Sequence, residues 1–340
     1  MLSYFFLGSI FFFAYFFFNL LAKIFNLYDY PNNRKIHNQP IPFTGGLIII
    51  TTLLIYIPFA DLDNQLFLII LSSLPLVVIG TIDDIIPQRV SIRVLIQILC
   101  SLFLIGGGLH LKSLGNYYFI ENIELGYFGI AFTIICVLVY VNSINFIDGL
   151  DGLSSGLLLI SFISLLIIYN LFSIPLNNNL LYPLIFLIIL FFFINLGITP
   201  FNKIFLGDSG SISISFIFAW ILIFLSQRDI EYLHPLAVAW IISFPFYDFS
   251  SIILRRILRN KNIFYPDNLH IHHLLLFYFK NKKVVLLIIL SSCILINITG
   301  IFSLYYYNSL VSLSLFILFF IAYIAITMRL QKNIFFIKNI

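Results

Sequence analysis

The chain has 340 residues, of which 61% are hydrophobic and 9% are charged, and its mean hydropathy is +1.07. Soluble globular domains of this length do not have this balance, so the composition excludes a soluble enzyme or binding module and predicts a polytopic membrane protein. The three cysteines, Cys100, Cys136 and Cys293, lie singly in apolar runs. This placement indicates small buried side chains rather than a disulfide framework or a metal site.

Apolar runs long enough to cross a bilayer recur from one end of the chain to the other. No small-residue cleavage site follows the first run, so we predict a retained helix rather than a removed signal peptide. The fold class expected is all-α, a polytopic integral membrane protein with a single domain over residues 1–340. About eleven spans are predicted, at approximately 2–24, 43–60, 65–82, 92–109, 127–141, 153–172, 179–196, 209–226, 235–255, 284–301 and 309–328.

The basic residues test this arrangement independently, because Lys and Arg collect in cytoplasmic loops. All of the 18 basic residues fall on one side of the predicted membrane except Lys112 and Arg228. The N-terminus is therefore predicted to lie outside and the C-terminus in the cytoplasm. The longest cytoplasmic loop, 255–283, is too short for a soluble domain.

The first cytoplasmic loop carries Arg34, Lys35 and His37 ahead of Pro40 and Pro42. The three side chains can donate to phosphate, and the prolines stiffen the return to the membrane. A phosphate-handling loop is one interpretation. The ordinary excess of positive charge on the cytoplasmic side accounts for Arg34 and Lys35 equally well.

The third predicted span ends with the adjacent carboxylates Asp83 and Asp84, shortly before Pro87. Two neighbouring carboxylates at a membrane boundary raise each other's pKa unless a cation or metal compensates. An acidic pair that ends a helix in water is the alternative. We favour a functional pair, because an acid at the edge of a membrane is otherwise better placed on the outer face, where most acidic loop residues of this chain stand alone.

Polar residues recur at every third position in the stretch that links the fifth and sixth predicted spans: Asn142, Asn145, Asp148 and Asp151. On a continuous helix this spacing distributes them around half the circumference rather than along one face. Glycines between 149 and 156 lower the helix propensity further. The pattern predicts a helix that breaks before the next one begins, with its polar groups and free N–H groups facing a polar, anionic ligand.

Two later cytoplasmic segments add further chemistry. Asp208 stands between glycines at the start of a predicted span, a position that suits either a metal ligand beside a bound phosphate or a simple N-cap. His270, His272 and His273 follow in the last large loop. Zinc is one option for three clustered histidines, but there is no cysteine nearby, and donation to a diphosphate is the better fit.

Together, five ordered motifs resemble those of the polyprenyl-phosphate N-acetylhexosamine-1-phosphate transferases, glycosyltransferase family 4. They lie between about residue 29 and residue 273. The motifs are the Arg34-Lys35-Ile36-His37 loop, Asp83-Asp84, Asn142-x-x-Asn145-x-x-Asp148-Gly-x-Asp151-Gly, Leu206-Gly-Asp208-Ser-Gly-Ser and His270-x-His272-His273.

The resemblance implies a single transmembrane catalytic domain that moves a sugar 1-phosphate from a UDP-N-acetylhexosamine to undecaprenyl phosphate and releases UMP. It implies Mg²⁺ or Mn²⁺ as cofactor and a location in the bacterial inner membrane, with the active site on the cytoplasmic face. The lipid bilayer is a partner, nucleic acid is not, and a homodimer is left open.

The resemblance also assigns roles to residues. Asp208 is implied as the metal ligand, and Asp83 and Asp84 serve lipid-phosphate activation or the metal site. The remaining assignments are catalytic for Asp148, Asp151, His272 and His273, and substrate-binding for Arg34, Lys35, His37, Asn142, Asn145 and His270.

Two positions separate this chain from the branch that transfers a muramoyl-pentapeptide. Ile271 interrupts the histidine run and Ile85 follows the acidic pair, where that branch has a third histidine and a third acid. These differences favour the simple-hexosamine branch, which initiates glycans such as O-antigen. The muramoyl-pentapeptide transferase remains an alternative function. A transporter is a more distant one, since the acids cluster at one face and the sequence has no evident internal repeat.

Overall fold

A computed structural model describes residues 2–31, 39–173, 178–227, 233–260 and 269–338. Arg34, Lys35 and His37 of the predicted phosphate-handling loop lie outside the described residues. The described residues are mostly helical. Their elements are α1 (Leu2–Phe25), β1 (Tyr28–Asp29), β2 (Ile41–Pro42), α2 (Gly45–Tyr56), a 3-10 turn (Ile57–Phe59), α3 (Asn64–Ser72), α4 (Leu74–Ile85), α5 (Val90–Gly106), α6 (Phe128–Ile147), α7 (Leu153–Leu171), α8 (Asn178–Asn195), α9 (Gly207–Gln227), α10 (Pro235–Ile241), α11 (Ser243–Ile257), α12 (Ile271–Phe279), α13 (Lys282–Tyr306) and α14 (Ser309–Lys338).

The helices confirm the prediction of an all-α polytopic membrane protein. Within the described ranges, seven spans are long and apolar enough to cross a membrane, and α10 and α11, which meet at a bend of 75°, make an eighth if the pair is counted as one span. Three shorter apolar helices, Gly45–Phe59, Val90–Gly106 and Asn179–Asn195, coincide with three further predicted spans. The count of eleven and the orientation of the termini stay predictions.

Two predicted spans are divided in the structure, and one helix was not predicted. The third span is formed by α3 and α4, which meet at Ser73, and the ninth by α10 and α11, which meet at Ile242. The unpredicted helix is α12, in the segment that the sequence assigned to a loop. Its nine residues are too few to cross a bilayer, so the lengths of the apolar runs do not predict it.

Helix α9 lies at the centre of the bundle, where it packs against α2, α4 and α6. Of the residues in the most apolar 18-residue stretch of α9, 89% are buried. Close approach depends on small residues: a Cβ on Gly46 of α2 would lie 2.2 Å from the backbone N of Gly210, and one on Gly80 of α4 would lie 2.5 Å from Cα of Ser209. Small residues at such crossings are typical of membrane helix packing.

The β-hairpin and the segment before α9 connect the two sides of this core. Strands β1 and β2 pair in antiparallel register, Tyr28 with Pro42 and Asp29 with Ile41. The N–H of Phe205 donates to the carbonyl of Pro42 at 2.9 Å. These bonds bring Asp29 and residues 205–207 to the same end of the bundle.

Helices α1, α13 and α14 lie at the periphery and expose large apolar side chains. In the most apolar 18-residue stretch of each helix, only 28% of the residues of α1 and 11% of those of α14 are buried. Exposed Phe16, Leu287 and Ile321 are examples. Such surfaces suit contact with lipid rather than water.

Candidate active site

The turn between α6 and α7 lies within the stretch where the sequence predicted a break, but α6 continues through Asn142 and Asn145, six residues beyond the predicted end of the span at 141. Helix α6 ends at Ile147, and α7 begins after Gly152, whose φ of +76° is a left-handed conformation that glycine adopts at little cost. The N–H of Gly152 donates to Asn195 Oδ1 at 2.6 Å. Asp148 lies in the turn and accepts a hydrogen bond from the Ser154 hydroxyl at 2.6 Å.

Asp84 caps the start of α9 from a different helix. Its Oδ1 accepts the N–H of Asp208 at 2.9 Å, and its Oδ2 accepts the N–H of Ser209 at 3.4 Å. Gly207 has a φ of +73°, and a Cβ there would lie 2.6 Å from Asp84 Oδ2. The N–H groups at the start of a helix attract negative charge. Because Asp84 takes them, Asp208 is not the N-cap, and its side chain is available to the site.

Arg93, near the start of α5, joins two of the predicted acids. Its Nη1 donates to Asp83 Oδ2 at 2.6 Å and to Asp208 Oδ2 at 2.8 Å. The other Asp208 oxygen accepts a hydrogen bond from Asn145 Nδ2 at 2.9 Å. Asp208 is therefore held by residues from α5 and α6. Arg93, which the charge pattern explained only as a cytoplasmic charge, thus supplies a cation to Asp83 of the adjacent pair.

A cavity of about 470 Å³ opens at this end of the bundle. It collects residues from segments that are far apart in sequence. Of the predicted site residues, those lining it are Asp84, Asn145, Asp148, Asp151, Asp208 and His273. Lys203 and Lys282 also line the cavity, and Lys203 Nζ lies 2.5 Å from Asp151 Oδ2.

Carboxylates outnumber amines in this cavity. The described lining residues include five aspartates, with Asp29 added to the four predicted ones, against two lysines. Burial raises the pKa of Asp148 to about 6, despite the hydrogen bond from Ser154, and the charge of Asp151 adds to the rise. Asp148 therefore titrates close to neutral pH.

The donor set of the cavity fits a hard divalent cation. Mg²⁺ is usually bound by one or two carboxylates together with substrate phosphates and water, rather than by a cage of protein ligands. The Asp208 side chain is 30% exposed, in a cavity with an excess of carboxylates. Within the described ranges, no group of three or more His, Cys, Asp or Glu side chains is arranged as a metal cluster. A single carboxylate beside a substrate diphosphate therefore matches the residues better than a zinc site does.

The histidine motif forms the start of α12, and its three rings have different surroundings. His273 lines the cavity. His272 is 1% exposed, and its ring centroid lies 4.0 Å from that of His273. Neither ring nitrogen of His272 has a hydrogen-bond partner among the described residues. Burial, reinforced by the neighbouring histidines, holds the pKa of His272 well below its ordinary value, so this ring is neutral.

Two predicted binding residues lie away from the lining of the cavity. His270 is 8% exposed, and its Nδ1 lies 2.8 Å from Oδ2 of Asp248 in α11. Asn142 donates from Nδ2 to Gln97 Oε1 at 2.9 Å, which joins α6 to α5. Both side chains connect helices in the structure, and their contact with substrate stays a prediction.

The structure adds Arg93, Lys203, Lys282 and Asp248 to the residues that the sequence analysis selected. The three basic residues were explained by the positive-inside pattern alone. A sequence signal exists for Arg93 and Lys203, since they share cytoplasmic loop segments with the acids Asp83 and Asp208. Lys282 and Asp248 have no such signal, because their roles depend on contacts between helices distant in sequence.

Comparison with known proteins identifies the family of the chain. Residues 66–226 match the family model described as glycosyl transferase family 4. The chain is 34% identical over 268 residues, 76% of this chain and 71% of the relative, to the undecaprenyl-phosphate alpha-N-acetylglucosaminyl 1-phosphate transferase of Escherichia coli K12. It is 33% identical to proteins of the same name from Yersinia pestis, with 73% of this chain and 69% of the relative aligned, and from Haemophilus influenzae, with 75% and 73% aligned. The chain belongs to glycosyl transferase family 4.

Proposed function

We propose that this protein transfers an N-acetylhexosamine 1-phosphate from a UDP-sugar to undecaprenyl phosphate and releases UMP, at the cytoplasmic face of a bacterial inner membrane. The observation that carries the proposal is the convergence of Asp148, Asp151 and Asp208 with Lys203 and Lys282 in one cavity at an end of the helix bundle. The names of the relatives support the lipid acceptor and N-acetylglucosamine as the sugar. UDP-GlcNAc is therefore the donor to test first.

Asp208 is the residue proposed to hold Mg²⁺ or Mn²⁺. A cation bound there would neutralise negative charge on the donor diphosphate. Asn145 and Arg93 each donate to one oxygen of the Asp208 carboxylate. They fix its orientation, so little rearrangement is needed when substrate arrives.

The basic residues of the lining are proposed to bind phosphate oxygens. Lys203 and Lys282 carry positive charge into a cavity rich in carboxylates, and His273 adds a ring nitrogen from α12. Donors placed where charge develops on a leaving phosphate lower the barrier of phosphoryl transfer. In this proposal they stabilise the UMP as it leaves.

Asp148 is the proposed proton acceptor for the lipid phosphate. A phosphate monoester loses its second proton near pH 6, and the pKa of Asp148 is about 6, so the transfer is close to balanced. The freed phosphate oxygen attacks the phosphorus that carries the sugar, and the bond from that phosphorus to the bridging oxygen breaks. Asp83 and Asp84 are less suited to this step, because Arg93 and the backbone of α9 engage their oxygens.

The product is the starting unit of a cell-envelope glycan such as O-antigen. UMP release by the purified protein, measured with undecaprenyl phosphate, Mg²⁺ and a panel of UDP-N-acetylhexosamines, tests the proposal. We expect release with UDP-GlcNAc that stops when EDTA is added. Folded protein that releases no UMP with any of these donors would overturn the proposal, and activity only with the UDP-muramoyl-pentapeptide would replace it with the alternative transferase.

A further inference from the structure

We propose that Asp248 and Tyr323 are positioning residues that hold the start of α12, and thereby His273, in the orientation that the cavity requires. This inference rests on the proposed function, because it gives His273 a role at the donor diphosphate. It is carried by a buried hydrogen-bonded cluster, here called the α12 anchor, which consists of Asp248 and Arg255 of α11, His270, and Tyr323 of α14.

Asp248 is the centre of the α12 anchor and is 1% exposed. Its Oδ1 accepts the N–H of Ile271 at 3.0 Å and the Tyr323 hydroxyl at 3.0 Å, and its Oδ2 lies 2.8 Å from His270 Nδ1. A carboxylate is costly to bury unless its oxygens are satisfied. These contacts satisfy both oxygens, and they connect α11, α12 and α14 through one group.

Arg255 holds the other side of the same backbone segment. It follows Asp248 by seven residues, about two helical turns, and so lies on the same face of α11. Its side chain is 3% exposed and donates to the carbonyl of Leu269 at 3.0 Å. Asp248 thus fixes the N–H of Ile271, and Arg255 fixes the carbonyl of Leu269, immediately before the helix begins.

The first turn of α12 connects the α12 anchor to the cavity. The N–H of His273 donates to the carbonyl of His270 at 3.0 Å, so the position of one sets the position of the other. The His272 ring contacts both neighbouring rings: it is stacked on His270 with centroids 5.8 Å apart, and tilted by 42° to His273 with centroids 4.0 Å apart. Of the described residues that line the cavity, none belongs to the α12 anchor. In this proposal Asp248 and Tyr323 therefore act through His273 rather than on substrate.

Two buried tyrosines provide a matched pair of variants. Tyr323 donates to Asp248 at 3.0 Å, whereas Tyr247 donates to the carbonyl of Phe316 at 2.9 Å. Both hydroxyls connect α11 to α14, and both side chains are buried. Tyr323→Phe removes a bond of the α12 anchor, and Tyr247→Phe removes a comparable bond that does not reach it.

The first measurement is amide hydrogen exchange at residues 271–274 of the full-length protein in detergent. We expect faster exchange in Tyr323→Phe than in Tyr247→Phe, with similar thermal midpoints for the two variants. Equal exchange in both variants would overturn the inference. This measurement does not depend on the reaction, so it tests the anchor even when the proposed donor or acceptor is wrong.

The second measurement asks whether the anchor acts through His273. With UDP-GlcNAc and undecaprenyl phosphate, we expect Tyr323→Phe and Asp248→Asn to lower kcat by about tenfold to a hundredfold, the size expected for a misplaced catalytic group. In a His273→Ala background the same changes are expected to have almost no further effect, because residues that act as a unit are not additive. Full additivity would overturn the inference, whereas absence of UMP release by the wild-type protein would overturn the proposed function instead.

Discussion

Two helices, α9 and α12, begin beside the cavity, and each is capped by a carboxylate from another helix. Asp84 of α4 accepts the N–H groups of Asp208 and Ser209. Asp248 of α11 accepts the N–H of Ile271. Asp208 is itself one of the capped residues and His273 lies two residues after Ile271, so in both regions a capping bond between helices is made within the helical turn that carries a cavity residue.

The two caps differ in their surroundings. Asp84 itself lines the cavity, and its bonds run to the backbone of α9. Asp248 lies away from the lining and also binds the side chains of His270 and Tyr323. The first cap therefore contributes a carboxyl group to the lining of the site as well as order, whereas the second contributes order alone. Substitutions beside the two caps separate these two contributions.

Asp208→Asn is expected to have the largest effect, because it removes the proposed cation ligand and leaves the Asp84 cap in place. We expect turnover to fall about a thousandfold or more, with the thermal midpoint close to that of the wild-type protein. Ser213→Ala is a suitable control, since Ser213 lies on the same helix and bonds only to the carbonyl of Ser209 among the described residues. Unchanged turnover in Asp208→Asn would remove the metal assignment.

Gly207→Ala is expected to disturb the start of α9, and Gly149→Ala the start of α12. At Gly207 the left-handed φ of +73° costs alanine about 1–2 kcal/mol, and its Cβ would collide with Asp84 Oδ2. At Gly149 the added Cβ would lie 2.4 Å from Nε2 of the buried His272. We expect Gly207→Ala to lower both the thermal midpoint and turnover. Gly149→Ala is expected to disturb mainly the α12 side, which appears as a higher KM for the donor.

Equal losses of midpoint and turnover in these two glycine variants would contradict the division into two regions. Gly197→Ala provides a control for the left-handed conformation, because Gly197 has a φ of +69° and open space around its Cβ position. If Gly207→Ala lowers the thermal midpoint or turnover more than Gly197→Ala does, the difference measures the collision with the Asp84 cap. Thermal denaturation in detergent and UMP release measure both quantities.

Much of this site was predictable from the sequence because its chemistry lies in short segments. The break after Ile147 could be inferred from Asp148, Asp151 and the glycines around them, since their spacing and propensity disfavour a continuous helix. The apolar runs likewise predicted helices whose positions follow from bilayer thickness. These signals are local, and local signals survive in a sequence without any knowledge of packing.

The contacts between helices could not be predicted in the same way. The closeness of Arg93 to Asp83 in the sequence does not indicate that the same guanidinium also reaches Asp208, which is 115 residues away along the chain. Asp84 was selected as a catalytic acid, but its capping of α9 depends on how closely α4 approaches that helix. The division of predicted span 65–82 at Ser73, in contrast, has a local signal, because Pro75 stands in the first turn of α4, where proline favours the start of a helix.

The two asparagines of α6 provide a comparison with a smaller expected effect. Asn145 donates to Asp208, whereas Asn142 donates to Gln97, which is fully buried. We expect Asn145→Ala to lower kcat about tenfold to a hundredfold with little loss of stability. Asn142→Ala leaves the Gln97 carbonyl without this donor, so it should lower the thermal midpoint and change kcat little. The reverse pattern would place Asn142 at the substrate, as the sequence analysis predicted.

The smallest expected effect is a shift in pH dependence at Asp148, in the turn between α6 and α7. Asp148 must be ionised to accept a proton, so kcat/KM should rise with pH through the pKa of about 6. The Ser154 hydroxyl stabilises the ionised form, so Ser154→Ala should raise this pKa and move the acidic limb to higher pH. The shift is about one pH unit, since a hydrogen bond to a charged group contributes roughly 1.5 kcal/mol.

Ser155→Ala is the matched control for this shift. Ser155 is the next residue and is also buried, but its hydroxyl has no hydrogen-bond partner among the described residues. Its removal should leave the acidic limb where it is in the wild-type protein. If Ser154→Ala and Ser155→Ala have the same pH profile, Asp148 is not the group that titrates in the reaction. The proton acceptor must then be sought among the other carboxylates of the cavity, of which Asp151 is the nearest in sequence.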